Sequence, residues 1–343
     1  MKDIYISGNH NEEPEEIDVF SVSPEPEEPK KPKKPKNKHR LRRFICIVLI
    51  ILLLPALPVM AAAAVSGYTR NDLKRNEYVS FGDVAKNPLV SNILLLGVDG
   101  EEGQSSRSDS MILVSIDFVH QKIKLTSFLR DCWVEIPSKG KNAKLNAAYA
   151  YGGPQLAKDT IEYNYGVGID HFIKVDFRMF KMIIDKLGGV DVEVTKKEAD
   201  FINKTTRQTV ESGSSVHLNG EEALVYCRIR KLDTDYMRTF RQRKVITALL
   251  NKAKKASAAD LIAMAKEVFP LIETDLSPSE ISILAYKGTA ALLGFDLVQT
   301  RVPTDDQMRT DTVSGQWVEI ADMDAVREYL YDFIYTGKKI KEE

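Results

Sequence analysis

Apolar side chains are sparse over residues 1–43 and then run without a charge from Phe44 to Val65. A helix rising ~1.5 Å per residue needs about 20 such residues to cross ~30 Å of hydrocarbon, so FICIVLIILLLPALPVMAAAAV is expected to form one transmembrane helix. The residues before it divide into an acidic, proline-punctuated stretch (1–29) and a basic block (30–43). With little apolar surface to offset the entropy of ordering, residues 1–43 read as a disordered tail. Lys and Arg on this flank keep the tail cytoplasmic by the positive-inside rule, and the rest of a cell-membrane protein then faces outward. A cleaved signal peptide is the competing reading, because VMAAAAV resembles a small-residue cleavage site. The long preceding segment and long apolar run count against it.

After the span the pattern changes. Residues 66–90 mix charges with little apolar periodicity and read as a juxtamembrane stalk. SNILLLGVD (91–99) is a continuous apolar run, the mark of a strand covered on both faces. MILVSIDF (111–118) and KIKLTSFLRD (122–131) are strand-like runs at hairpin spacing. A helix is expected from about Pro154, a strand over 169–177, and a helix over 178–189 that ends at a double glycine. VDVEVT (190–195) alternates as a strand, and a short helix near Glu221 is followed by an expected strand over 224–230. A long helix then starts near Thr234, and a final one near Asp322. Strands alternating with helices predict a single α/β/α layered domain with a mixed central sheet over 91–337.

Charge adds the chemistry. The chain of 343 residues has a formal net charge of −1, yet YCRIRKLDTDYMRTFRQRK (226–244) holds five arginines and two lysines in nineteen positions. Read as a strand, it points Arg228 and Arg230 to one face. On the following helix Arg238, Arg241 and Gln242 stand at i, i+3 and i+4 near an N-terminus, where backbone N–H groups also favour an anion. Guanidiniums hold phosphate oxygens through paired hydrogen bonds, so the cluster suits a diphosphate. The plainer alternative is a solvated helix end with ion pairs to Asp233 and Asp235. Asp99 and Asp109, on either side of a loop that also carries Arg107, could share a hard divalent cation such as Mg²⁺ or Mn²⁺. The cysteines are Cys46 in the apolar span and Cys132 and Cys227 beyond it. Outside the cell a disulfide between the last two is permitted, with free buried thiols the favoured reading.

Taken in order, GVD, RSD, LRD, KLNAAYAYGG, VDF, LNGEEALVYCRIRK and RTFRQRK resemble the LytR-CpsA-Psr family of cell-wall glycopolymer ligases. The resemblance implies transfer of an anionic glycopolymer, teichoic acid or capsular polysaccharide, from a polyprenyl-diphosphate carrier to the muramic acid C6 hydroxyl of peptidoglycan. It implies magnesium on Asp99 and Asp109, and diphosphate on Arg107, Arg130, Arg228, Arg230, Arg238 and Gln242. Arg241 stands behind these, and Lys144 and Asn146 are further contributors. A carboxylate near the metal, Asp109 or Asp131, could take the hydroxyl proton, with a structural ion pair to its Arg neighbour the equal alternative for Asp131. The family's lipid tunnel makes Phe180, Ile183, Ile184 and Leu187 candidate lining, although helical spacing alone fits ordinary core. Three positions depart from the family pattern: Glu101 stands where an Arg is usual, Ser106 replaces a Gly, and Leu129 replaces a Pro. The competing functions are hydrolysis of the polyprenyl diphosphate by the same residues and a non-catalytic membrane regulator. The tail has no DNA-binding motif, and its basic block would meet anionic membrane lipid, so no nucleic-acid partner is expected.

Overall fold

The computed structural model describes residues 67–80, 82–98, 108–230, 232 and 235–338. The expected tail and transmembrane span, together with Asp99, Glu101, Ser106 and Arg107, lie outside the described residues. Among the described residues no helix is long and apolar enough to cross a membrane.

The chain begins with β1 (Thr69–Arg70) and reaches β2 (Val90–Val98), β3 (Ser108–Asp117) and β4 (Lys122–Phe128). A small hairpin, β5 (Trp133–Ile136) and β6 (Lys141–Lys144), leads into α1 (Ala147–Tyr165). Next come β7 (His171–Asp176), α2 (Phe177–Lys186), β8 (Val190–Val194), α3 (Lys196–Thr206), β9 (Gly213–Leu218) and α4 (Gly220–Arg228). The remainder is α5 (Asp235–Lys255), α6 (Ala258–Val268), β10 (Glu273–Thr274), α7 (Pro278–Gly294) and β11 (Asp296–Val302). A second hairpin, β12 (Met308–Val313) and β13 (Gln316–Ala321), precedes α8 (Met323–Tyr331).

Seven strands form one mixed sheet in the order β1-β10-β7-β2-β3-β4-β11. Alternation along β2 explains the layering. Leu94, Leu96 and Val98 pack with Phe128 against α1 and α8, while Ile93 and Leu95 pack with Ile112 and Leu125 toward Ile246 of α5 and Ala291 of α7. A strand apolar on both faces is stable only with helices above and below, as found. A further core joins α2, β8, α3, β9 and α4 to α5 through residues such as Ile184, Val192, Ile202, Tyr226 and Val245.

Three expectations need correction. The segment over 224–230 is helical up to Arg228, because Asn219 and Glu222 form a capping box whose two side chains satisfy the first free N–H groups of α4. An apolar run of that length does not distinguish helix from buried strand, and the cap decides it. The segment expected to be a stalk is packed onto the domain: β1 pairs in parallel with β10, and the Ala85 N–H donates to the Gly166 carbonyl at 2.8 Å. Asn76, only 3% exposed, donates to the Asp159 carbonyl and to Glu162 Oε2, both at 3.1 Å. Such contacts are made by polar groups and leave no apolar period. Finally, α1 starts at Ala147, but its backbone breaks at Gly152 and Gly153, so regular helix resumes at Pro154.

The topology gathers the chemistry. Val98 of β2 lies beside Asp176 at the end of β7, and Phe128 at the end of β4 lies beside Val302 at the end of β11. The start of β3, with Asp109 and Ser110, meets the same end of the sheet, since Gly97 pairs with Ser110. Ligands of α/β sheets sit outside the carboxyl ends of parallel strands, and here Asp109, Arg130 and Asp176 arrive there. Gly220 brings the helices together: a Cβ at that position would stand 2.5 Å from the Lys181 carbonyl, so only glycine lets α4 start against the backbone of α2.

Candidate active site

Between the sheet face bearing Leu95 and Ile112 and helices α2, α4 and α5 lies a cavity of about 630 Å³. Its character follows α5. Arg238 and Gln242 line it first, then Ile246, Leu249 and Ala253. From Arg238 to Ala253 is fifteen residues, so the wall turns from cationic to apolar over about 22 Å at ~1.5 Å per residue. Opposite, Phe180 and Ile183 of α2 and Leu187 just past its end face the cavity. Of the stripe that spacing alone assigned to core, only Ile184 is core, with no exposure.

At the cationic end Arg130 is the hub. It is 5% exposed; its Nη1 donates to Asp109 Oδ1, and its Nε lies 3.4 Å from Asp131 Oδ2 and 3.3 Å from Asp235 Oδ1. Arg238 donates to Asp235 Oδ2 at 3.0 Å and to the Asp109 carbonyl at 3.2 Å. Burial pushes the Arg238 guanidinium down to about 10, so it stays charged at neutral pH. Burial also raises the Asp235 carboxyl above its ordinary range, against the pull of Arg238 and Arg130. Gln242 Oε1 accepts from the Ser110 hydroxyl at 3.0 Å, which leaves the amide NH₂ to donate elsewhere. Arg228 stacks over Phe177, with its guanidinium carbon 4.3 Å from the ring centre. Arg230 is exposed on the cavity wall and has no carboxylate at ion-pair distance among the described residues.

The structure therefore brings Asp109, Arg228, Arg230, Arg238 and Gln242 to one cavity, with Arg130 bound to Asp109 at its edge. Asp131 joins through Arg130, and Lys144 through a 2.7 Å bond to Asp131. Asn146 is tied to the Arg130 carbonyl by its backbone N–H at 3.1 Å, and its buried Oδ1 has no hydrogen-bond partner among the described residues. Arg241 is a correction: it is outside the cavity lining, and its Nε meets Glu198 of α3 at 2.6 Å in the core. At i+3 from Arg238 it lies about 60° round the helix, enough for the Glu198 carboxylate to claim it. Asp235, read from the sequence as a surface ion-pair partner, belongs to the site. Its place in the first turn of α5, three residues before Arg238, was the available signal. Asp176 and Phe177 stood in the VDF motif without an assigned role, and Ser110 carried no signal in the sequence.

Leu129 makes use of its departure from the family pattern: its N–H donates to the Val302 carbonyl at 3.0 Å, a bond a proline cannot make. Cys132 and Cys227 are both free and buried. For a divalent ion, Asp109 offers a partly exposed carboxylate with Oδ1 held by Arg130 and Oδ2 without a partner among the described residues, which suits one ligand of a hard cation. No group of three or more ligating side chains occurs among the described residues.

The profile of the LytR_cpsA_psr family matches residues 59–331. This chain belongs to the LytR_cpsA_psr family. The matched span takes in residues 67–90, in accord with their packing onto the domain. Among relatives, a polyisoprenyl-teichoic acid–peptidoglycan teichoic acid transferase, TagU, of Bacillus licheniformis is 35% identical over 218 residues, 63% of this chain and 68% of the relative. Regulatory protein MsrR of Staphylococcus aureus is 36% identical over 185 residues, 53% of this chain and 55% of the relative. The solved structure of TagT bound to LIIa-WTA has a TM-score of 0.63 at 26% identity and covers 77% of this chain and 99% of that one. The LytR_cpsA_psr members thus share this α/β fold with its mixed sheet.

Proposed function

We propose that this protein is a membrane-anchored transferase that moves an anionic glycopolymer from a polyprenyl-diphosphate carrier to the muramic acid C6 hydroxyl of peptidoglycan. One observation carries the reading: a single cavity begins among Arg228, Arg230 and Arg238 and continues as an apolar tube walled by α2 and α5. A diphosphate joined to a long hydrocarbon has that same order of parts. The transferase name of the B. licheniformis relative and the bound LIIa-WTA of TagT support the substrate class. The Lys- and Arg-rich flank of the apolar span supports an outward-facing domain at the cell membrane.

In this scheme the sugar hydroxyl attacks the phosphorus that bears the polymer. A C6–O–P bond forms, the P–O–P bond to the carrier breaks, and polyprenyl phosphate leaves. Arg130, Arg230 and Arg238 bind the phosphate oxygens and stabilise the charge that grows on the leaving phosphate. Such preorganised cations usually make the largest contribution to phosphoryl transfer. Gln242, set by Ser110, donates its amide to the same oxygens. Asp131, held by Lys144, takes the hydroxyl proton. Asp109, with Asp99, would hold a divalent cation, which when bound neutralises diphosphate charge.

The test is to incubate the full-length protein with Mg²⁺, a labelled polyprenyl-diphosphate sugar and peptidoglycan oligomers, beside Arg230→Ala and Asp109→Ala. Label should appear on peptidoglycan and fall about a hundredfold in each variant. Release of polyprenyl phosphate without transfer would replace the ligase reading with a hydrolase, and no turnover at all would favour a regulator.

A further inference from the structure

We propose that the β12–β13 hairpin is the platform on which the acceptor glycan strand lies, with Trp317 as its stacking surface. The proposal rests on the glycan-acceptor reading above and names the site that reading lacks. Trp317 is 73% exposed, more than any other large apolar side chain among the described residues. An indole combines a large apolar face with a polar N–H, the combination that makes tryptophan frequent at contact surfaces, and here both are presented to solvent on a short hairpin.

Its surroundings indicate the chemistry. Thr312 stands across the hairpin from Trp317, and the next pair on that alternation is Thr310 and Glu319, whose hydroxyl and carboxylate are joined at 2.8 Å. A pyranose ring offers an apolar face of C–H bonds and a rim of hydroxyls, so an indole flanked by hydroxyls and a carboxylate suits it. One aromatic among polar neighbours is far short of the ~800 Å² per partner that a stable protein interface needs.

Position supports the assignment independently. The Glu319 N–H donates to the Asp131 carbonyl at 3.0 Å, and Cys132 bridges in parallel to Glu319. The hairpin is thereby fastened to the residue assigned the acceptor proton, and Trp317 follows two residues along, about 7 Å at ~3.3 Å per residue. The apolar part of the cavity suits the carrier. The acceptor then reaches the phosphates from the Arg130–Asp131 side, where the hairpin is attached.

The chain has two tryptophans, Trp133 and Trp317, so Trp133→Phe leaves Trp317 as the single indole reporter in the full-length protein. Peptide-free oligomers of the peptidoglycan glycan should quench or shift its fluorescence saturably. In the transfer assay Trp317→Ala should raise the acceptor KM about tenfold or more, with kcat and donor affinity near those of the parent, and Trp317→Phe should recover much of the loss. The side chain is exposed, so its loss removes little packing, and a thermal melt of each variant checks that the fold is kept. No saturable response at millimolar glycan, in protein that still binds the polyprenyl diphosphate, overturns the platform. So does a response that tracks protein concentration without glycan, which would make the hairpin a self-association surface. Because fluorescence reads binding alone, a protein that hydrolyses without transfer can still bind glycan at Trp317, and the two readings fail separately.

Discussion

Replacing Arg241 by Met separates structure from binding within one helix. Arg241 and Glu198 meet at 2.6 Å with side chains 2% and 8% exposed, and Arg241 Nη1 also donates to the Ile229 carbonyl at 3.3 Å. Burial raises the Glu198 carboxyl, but hydrogen bonds from Arg241 and from the Thr195 N–H and hydroxyl outweigh it and hold the group below its ordinary range. Met at 241 strands that carboxylate in the core, at a cost of about 3–5 kcal/mol. At ~2–4 °C per kcal/mol for a domain of this class, Tm should fall by about 6–20 °C. Glu198→Met in the same chain removes the stranded charge and should restore most of the loss. The assay is a thermal melt of the four proteins of the cycle, with affinity for a short polyprenyl diphosphate measured well below the lowest transition. Arg241→Met should bind within about twofold of the parent, whereas Arg238→Met, losing charge-assisted bonds of ~1.5–3 kcal/mol, should bind about 10–100-fold more weakly. If Arg241→Met melts like the parent and loses diphosphate binding as Arg238→Met does, the assignment of Arg241 to the core is wrong.

Burial pushes the Cys132 thiol to about 11 and the Cys227 thiol to about 12, so both should resist maleimide at pH 7.5 in the native protein and react once it is unfolded, as peptide mapping would read. The Asp275 carboxylate, 3.4 Å from His171 Nδ1, raises the imidazole above its ordinary range; the stabilisation is therefore complete below about pH 6.5 and fades as pH rises through the folded-state value. His171→Gln should flatten Tm against pH between 5.5 and 8.5, and an unchanged slope would remove that pair from the account. Leu129→Pro deletes the N–H bonded to Val302 and should cost about 1 kcal/mol, read as the denaturation midpoint at unchanged slope.

How much of this could be read from the chain depends on which interactions leave a period. The central strands are apolar on both faces because both faces are covered, so β2, β3, β4 and β7 were legible to within a few residues. Residues 67–90 were not, since they dock through Asn76, backbone bonds, a two-residue strand and isolated apolar side chains such as Tyr68 and Leu73, none of which repeats along the sequence. At the site the limit is partner choice. Residue types and spacing placed Arg238, Arg241 and Gln242 together, yet one turn of helix separates a guanidinium shared with Asp235 from one claimed by Glu198. That choice is made by α3, about forty residues away in sequence, and by the cap that turns 220–228 into a helix and fixes where Arg228 ends. Motifs therefore state which charges a site uses, while the carboxylates that tertiary packing brings against them decide which of those charges remain for the ligand.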